Sequence, residues 1–126
     1  MFYLTFIVGM FFAAADKPPV RFAADAEQVA SVAVGEIFEV MMIGNPSTGY
    51  QWSLVKGSAG VAQVAEMRYE STRSSPAAVG SPVRVVFTFQ AKSVSKGTLS
   101  FAYARSFEKG VPPIKTAELA FVVREK

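Results

Sequence analysis

The stretch Val83-Arg84-Val85-Val86-Phe87-Thr88-Phe89-Gln90-Ala91 decides the fold class, because its side chains alternate between apolar and polar. The apolar residues that fall on one side of an extended chain are Val83, Val85, Phe87 and Phe89. Successive side chains of a β-strand point to opposite faces, so this period of two predicts a strand with one buried face. No segment shows a convincing helical period, and we therefore expect an all-β fold.

The same period recurs along the chain, with turn-forming residues between the apolar runs. The candidate strands cover residues 29–34, 37–43, 50–55, 64–70, 83–91, 98–105 and 116–124. Short strands separated by frequent turn signals are typical of a β-sandwich or a barrel. Large aromatic residues in such strands fill the core, so we expect Trp52 between the sheets.

The N-terminal residues predict a targeting segment. Residues 1–15 carry no charge and end in three alanines, a pattern typical of a secretory signal peptide cleaved near Ala15. We expect a secreted or periplasmic protein, or one in the secretory or lysosomal pathway, with no stable membrane association after cleavage. An uncleaved anchor is the alternative, because the segment lacks the usual basic residue. Residues 16–24 predict an extended arm, and residues 25–126 one folded domain.

Composition argues against several classes of function. The chain has no cysteine and no histidine, which excludes a thiol nucleophile, a thiolate metal site and a Ser-His-Asp triad. We therefore predict no enzyme activity, no metal and no cofactor. The net charge of +3 comes from scattered residues, so we expect no nucleic-acid binding, and we expect a monomer. Glu66 and Glu70 lie too far apart in a strand to share a substrate atom, and both are expected to be solvated.

Three connections are predicted to share one end of the fold. If successive strands run antiparallel, every second connection lies at the same end. One end then collects the turn at residues 45–49, the segment 71–82 and the segment 106–115. The last two are the longest connections, and long loops tend to be functional or disordered. Three such loops resemble the way immunoglobulin domains present a binding edge.

The turn at residues 45–49 predicts a narrow, stiff tip. Pro46 fixes its own φ, and Gly49 supplies the positive φ of a tight reversal. Such a tip can enter a cleft with little loss of conformational entropy, although an ordinary surface turn has the same composition. Phe107 either folds back onto the core or stands exposed as an aromatic anchor. The segment 71–82 is either a mobile surface loop or an extended strand that pairs with a partner.

Three loop motifs and one further short stretch resemble the sequences of one known family. Residues 45–52, Asn-Pro-Ser-Thr-Gly-Tyr-Gln-Trp, are similar to the Asn-Pro-Thr-Thr-Gly-aromatic-x-Trp motif of the chagasin-type inhibitors of cysteine peptidases. Residues 103–107 lie where that family carries Tyr-x-Arg-Pro-Trp, and residues 79–82 where it carries a glycine-rich loop. Val-Gly-Glu at residues 34–36 resembles the family sequence before its second strand.

The resemblance implies an immunoglobulin-like β-sandwich of about seven or eight antiparallel strands. It also implies reversible inhibition of papain-like, cathepsin L-like cysteine peptidases by three loops that enter the active-site cleft. By position, Thr48 would enter near the catalytic dyad. The residues expected to bind the peptidase are Asn45, Pro46, Ser47, Thr48, Gly49, Tyr50, Val79, Gly80, Ser81, Pro82, Arg105, Ser106 and Phe107.

This sequence departs from the family pattern in two loops. Ser106 and Phe107 replace proline and tryptophan, and Gly80 is a single glycine followed closely by Pro82. We expect these changes to make inhibition weaker or narrower. The alternative function is an immunoglobulin-like adhesion module that binds a protein or a glycan without inhibiting a peptidase.

Overall fold

The computed structural model describes residues 18–25, 27–71 and 82–126, and these residues form nine strands. The strands are β1 (Val20–Ala23), β2 (Ala30–Ala33), β3 (Ile37–Gly44), β4 (Tyr50–Lys56), β5 (Val61–Gln63), β6 (Arg68–Ser71), β7 (Val83–Ala91), β8 (Ser95–Arg105) and β9 (Lys115–Arg124). A short 3-10 helix, Pro46–Thr48, lies between β3 and β4. The predicted signal peptide, residues 1–15, lies outside the described residues.

Two sheets face each other across a single apolar core. One has the order β1-β3-β7-β5 with β6 also beside β7, and the other has the order β2-β9-β8-β4. The ring of Phe101 lies 5.0 Å from Phe87 and 6.4 Å from Phe89, which joins the sheets. Trp52 is 7% exposed and belongs to this core, as predicted. The expected immunoglobulin-like β-sandwich is confirmed.

Two strand pairings differ from the all-antiparallel expectation. β1 runs parallel to β3, and β2 runs parallel to β9. The chain adds β1 to one sheet and then crosses to the other as β2, so neither strand pairs with its neighbour in sequence. Asp25, which has a left-handed φ of 65°, ties this crossing to β9 by two hydrogen bonds. Its N–H donates to the Glu118 carbonyl and its Oδ1 accepts from the Glu118 N–H, both at 2.8 Å.

The strand count is also higher than seven or eight. β1 comes from residues assigned to the arm, so the sheet begins at Val20 and not after residue 24. The candidate strand 64–70 is replaced by β5 and β6, which both pair antiparallel with β7. These two strands therefore run in the same direction, and the predicted alternation of the loops between the two ends is unaffected.

The outer face of the larger sheet carries a cluster of four charged side chains. Arg21 donates to Glu39 Oε1 at 3.0 Å and to both oxygens of Glu70 at 2.8 Å. Arg68 donates to Glu39 Oε2 at 2.8 Å and to Glu70 Oε2 at 2.9 Å. The expectation of a solvated carboxylate was therefore wrong for Glu70. The cluster holds β1 and β6 to the sheet, and it explains how Glu39 is nearly buried without an unpaired charge.

Acid should weaken this cluster in a measurable way. Hydrogen bonds from Arg21, opposed by burial and reinforced by Arg68, lower the pKa of Glu70 from 4.5 to about 2. Because the pKa is lower in the folded state, the ionised carboxylate stabilises the fold above pH 4.5, and this contribution is lost as the pH falls through 2. We expect Glu70→Gln to lower the free energy of unfolding at pH 7, and the difference from the parent to shrink toward pH 2.

Urea unfolding at a series of pH values measures this difference. Glu66→Gln is the matched control, because Glu66 is exposed and lies outside the cluster. A pH profile of Glu70→Gln that runs parallel to that of the parent would show that the cluster does not couple folding to protonation.

Candidate functional site

The tip between β3 and β4 is closed by its own hydrogen bonds. Asn45 has an extended backbone, and its Oδ1 accepts from the Ser47 N–H at 3.3 Å and from Ser47 Oγ at 2.6 Å. Pro46 supplies the fixed φ that suits the first helical position. Gly49 ends the turn with a φ of 85°, a conformation that side chains with a Cβ rarely adopt. The order of residue types along the chain therefore sets the shape of the tip.

Thr48 bonds mainly to the tip itself. Its Oγ1 donates to the Asn45 carbonyl at 2.7 Å, and its N–H donates to the same oxygen at 3.2 Å. The Gly49 N–H donates to the Pro46 carbonyl at 3.1 Å. The residues Pro46, Ser47 and Thr48 are all exposed. The tip therefore projects into solvent with a fixed shape, so a partner that receives it has little loop entropy to remove.

Tyr103 anchors the root of the tip from inside the sandwich. It is 6% exposed, and its hydroxyl accepts from the Asn45 N–H at 2.9 Å. Its ring stacks on Tyr50 at 5.4 Å and lies 4.9 Å from Trp52. The Trp52 Nε1–H donates to the Ile43 carbonyl at 3.0 Å, on the other side of the tip. Both ends of the turn are thus tied to one buried aromatic group.

Sequence reasoning did not assign Tyr103 this positioning role. Tyr103 alternates with Leu99 and Phe101 along β8, and all three side chains are buried, but the sequence pattern does not show which group its hydroxyl contacts. The available signal was polar: a buried tyrosine hydroxyl usually finds a hydrogen-bond partner. Tyr103 belongs to the motif at residues 103–107, and its hydroxyl bonds to Asn45, the first residue of the motif at residues 45–52.

Tyr103→Phe should loosen the tip without disturbing the core. Phenylalanine keeps the ring contacts, but the Asn45 N–H loses this acceptor. We expect amide hydrogen exchange at residues 47–49 to accelerate several-fold, on the scale of about 1 kcal/mol for one hydrogen bond. Exchange measured by NMR tests this result, with Tyr69→Phe on β6 as the matched control. Equal exchange at the tip in the two variants would remove Tyr103 from this role.

Arg105, at the end of β8, joins the third loop to the tip. Its Nε–H donates to the Thr48 carbonyl at 3.2 Å, and its guanidinium carbon lies 4.3 Å from the centre of the Tyr50 ring. Glu108 approaches the same guanidinium at 3.6 Å. The fixed, planar arginine group can make these contacts together. It therefore braces the carbonyl of the most exposed part of the turn.

Phe107 is an exposed aromatic side chain beside the tip. Its side chain lies against Gly49, because a Cβ added to this glycine would meet Phe107 Cε1 at 3.4 Å. The residue is nevertheless 70% exposed. The interpretation of a ring folded back onto the core is therefore wrong; the ring is exposed, and its role as an anchor stays a prediction. Ser106, next to it, is also exposed.

Strand register places the roots of all three predicted loops at one end. Gly44 and Ser71 both pair with Val83. Gly44 ends the strand before the tip, while Ser71 and Val83 flank the middle segment, so the tip lies beside both ends of that segment. Tyr50 pairs with Arg105, which brings the third loop to the same end. Of the predicted site residues, the structure thus brings together the tip from Asn45 to Tyr50 and the third-loop residues Arg105, Ser106 and Phe107. Pro82 stands at the root of the middle segment, while Val79, Gly80 and Ser81 lie outside the described residues.

This end exposes polar and aromatic groups from two loops. Within residues 18–25, 27–71 and 82–126, no group of three or more acidic side chains is placed to hold a metal ion. The tip presents hydroxyls and backbone carbonyls, and the third loop presents an aromatic ring and a guanidinium group.

In the part of the chain that the structure describes, no helix has the length and apolar character needed to cross a membrane.

Comparisons with solved structures identify proteins of similar fold. The cysteine protease inhibitor EhICP2 from Entamoeba histolytica is 20% identical with a TM-score of 0.66, over 83% of this chain and 95% of its own. Amebosin is 23% identical with a TM-score of 0.65, over 86% of this chain and 100% of its own. PbICP-C, solved in complex with falcipain-2, is 17% identical with a TM-score of 0.52, over 86% of this chain and 91% of its own.

A search of curated proteins gives no match. Residues 31–121 match the family described as chagasin family peptidase inhibitor I42, and this match spans most of the chain. The family is one of inhibitors and not of enzymes, in agreement with the prediction made from composition. The chain belongs to the chagasin family of peptidase inhibitors.

Proposed function

We propose that this protein is a reversible inhibitor of papain-like cysteine peptidases, which fills the active-site cleft with loops from one end of the sandwich. The observation that carries the proposal is the braced tip: Thr48 stands exposed while Arg105 holds its carbonyl and Tyr103 holds the root of the turn. The family match supports inhibition of peptidases. Among the similar structures, EhICP2 is described as a cysteine protease inhibitor, and PbICP-C was solved in complex with falcipain-2.

The proposed mechanism needs no covalent step. A stiff wedge in the cleft excludes substrate and water from the catalytic thiolate, and the inhibitor has no cysteine with which to exchange. Arg105 and Phe107 pack against one wall of the cleft in this arrangement, because they stand beside the tip. The segment that contains Val79, Gly80 and Ser81 approaches the substrate-binding side, as the family resemblance implies. Preorganised loops and an aromatic anchor are the features that permit tight binding at an interface of ordinary size.

Inhibition kinetics test the proposal. Papain and a cathepsin L-like peptidase are titrated with the protein while a fluorogenic peptide reports activity. We expect reversible inhibition that competes with substrate, with a dissociation constant of about nanomolar order. No inhibition of either peptidase at micromolar concentration would sink the proposal and leave the adhesion-module alternative.

We also propose that residues 1–15 are a signal peptide and that the protein acts outside the cytoplasm. The support is their uncharged, apolar sequence and the three alanines that end the segment. Mass spectrometry of the exported protein should find an N-terminus near Asp16. An intact N-terminus on exported protein would instead indicate an uncleaved anchor.

A further inference from the structure

The third loop continues past Phe107 into a second apolar surface that the family motif does not include. Val111 is 53% exposed and Ile114 is 54% exposed, and Lys109 and Lys115 lie on either side of them in sequence. We name residues 109–115 the apolar ledge. Exposed apolar patches with a polar rim mark sites that bind other molecules, whereas single exposed side chains need no explanation.

The apolar ledge is held in place by its backbone. Gly110 has a φ of 77°, and Pro112 and Pro113 fix the φ values that follow Val111. The Ile114 N–H donates to the Tyr103 carbonyl at 3.0 Å. The apolar side chains are thus presented on a stiff segment, and a partner gains contact area without a large cost in conformational entropy.

The ledge does not serve the core of the sandwich. The ammonium group of Lys115 lies 5.8 Å from the centre of the Tyr103 ring, on the inner side of this sheet. Ile114 precedes Lys115, so alternation directs it to the outer side. Val111 and Ile114 both face solvent in the isolated protein, as their exposed fractions show, and they lie close along the chain to Phe107.

The charged side chains of the apolar ledge indicate which kind of partner surface would bind it. Neither Lys109 nor Lys115 forms an ion pair with a carboxylate among the described residues, while the one acidic side chain of the loop, Glu108, is held by Arg105 at 3.6 Å. Along the chain, Lys109 precedes the two apolar side chains and Lys115 follows them; both lysines are exposed, and the ammonium group of Lys115 also lies near the Tyr103 ring. A complementary partner presents apolar groups bordered by carboxylates.

We propose that the apolar ledge is a second contact with the inhibited peptidase, which binds an apolar, acid-rimmed patch on the wall outside the substrate cleft. The proposal rests on the proposed function, because the tip and Phe107 then place the ledge against that wall. The tip addresses the part of the cleft that papain-like enzymes share. The apolar ledge contacts the wall outside the cleft, where papain-like enzymes differ from one another. It therefore determines which peptidase is bound most tightly.

Paired substitutions separate the ledge from the tip. Val111→Ser with Ile114→Ser removes the apolar contact at exposed positions, where effects on stability are small. Val94→Ser is the control, since Val94 is 60% exposed in the turn between β7 and β8 at the opposite end. We expect the double variant to dissociate about tenfold faster from the better bound of papain and a cathepsin L-like peptidase, and the control to match the parent.

The cations are tested in the same assay. Lys109→Glu with Lys115→Glu should slow association and abolish its decrease with added salt, because steering acts at a distance. Lys92→Glu with Lys96→Glu gives the same net charge at the opposite end and should change association much less. If the serine double variant behaves like Val94→Ser while the parent inhibits, the ledge proposal is overturned and the proposed function stands. If the parent inhibits neither peptidase, both fail.

Discussion

Thr48→Asp should weaken binding to a papain-like peptidase at least about 30-fold, which corresponds to about 2 kcal/mol. Thr48 is exposed at the end of the tip, so in the proposed complex it lies where water is most completely excluded. A carboxylate there loses its hydration without gaining a partner, a cost that grows as water is excluded. The free protein should lose about 1 kcal/mol of stability or less, because one side-chain bond to the Asn45 carbonyl is removed.

Dissociation constants and thermal unfolding midpoints of the two proteins check this expectation. Thr48→Ser is the matched control, because serine keeps the hydroxyl that donates to Asn45 and introduces no charge. It should bind within a few-fold of the parent. Binding of Thr48→Asp at parental strength would mean that the tip does not enter the cleft.

Phe107→Ala should weaken binding about 10- to 30-fold and leave the thermal unfolding midpoint almost unchanged. At 70% exposure the ring contributes little to folding, whereas its burial against a peptidase wall would make it an aromatic anchor. The same position tests the departure from the family motif. Phe107→Trp enlarges the aromatic surface and should bind as tightly as the parent or more tightly.

Surface plasmon resonance and calorimetry measure these two quantities on the same samples. A large fall in unfolding midpoint for Phe107→Ala would mean that the ring supports the fold. Unchanged affinity for both substitutions would remove Phe107 from the interface.

Alternation and turn chemistry predicted an all-β sandwich or barrel with three loops at one end, and the family resemblance selected the immunoglobulin-like sandwich. The period of two in β7 identified the buried row, and loop parity brought residues 45–49 and 106–115 together. Residues 64–70 were predicted to form one strand, whereas the structure has β5 and β6 in this region. The predicted placement of the loops was unaffected, because β5 and β6 run in the same direction along β7. Pro46 and Gly49 fixed the turn locally, which is why the tip could be anticipated from its residues.

Contacts between distant parts of the chain could not be predicted in this way. The parallel pairing of β1 depends on partners far away in sequence, including the contact of Arg21 with Glu70 on β6. The sequence pattern did not indicate that Arg21 and Glu70 would join a cluster of charged side chains on the sheet. The bond of the Tyr103 hydroxyl to Asn45 spans 58 residues, and no periodicity records which polar group a buried hydroxyl will meet.

If the loop end occupies the active-site cleft, a peptidase whose cleft is already filled should bind the inhibitor far more weakly. The dissociation constant is measured for papain with a free catalytic cysteine and for papain whose cleft is filled by a covalently bound peptidyl inhibitor. We expect tight binding to the free enzyme and binding at least about 100-fold weaker to the filled one, because the tip and the peptide need the same space. Equal binding to the two forms would mean that the loop end does not enter the cleft.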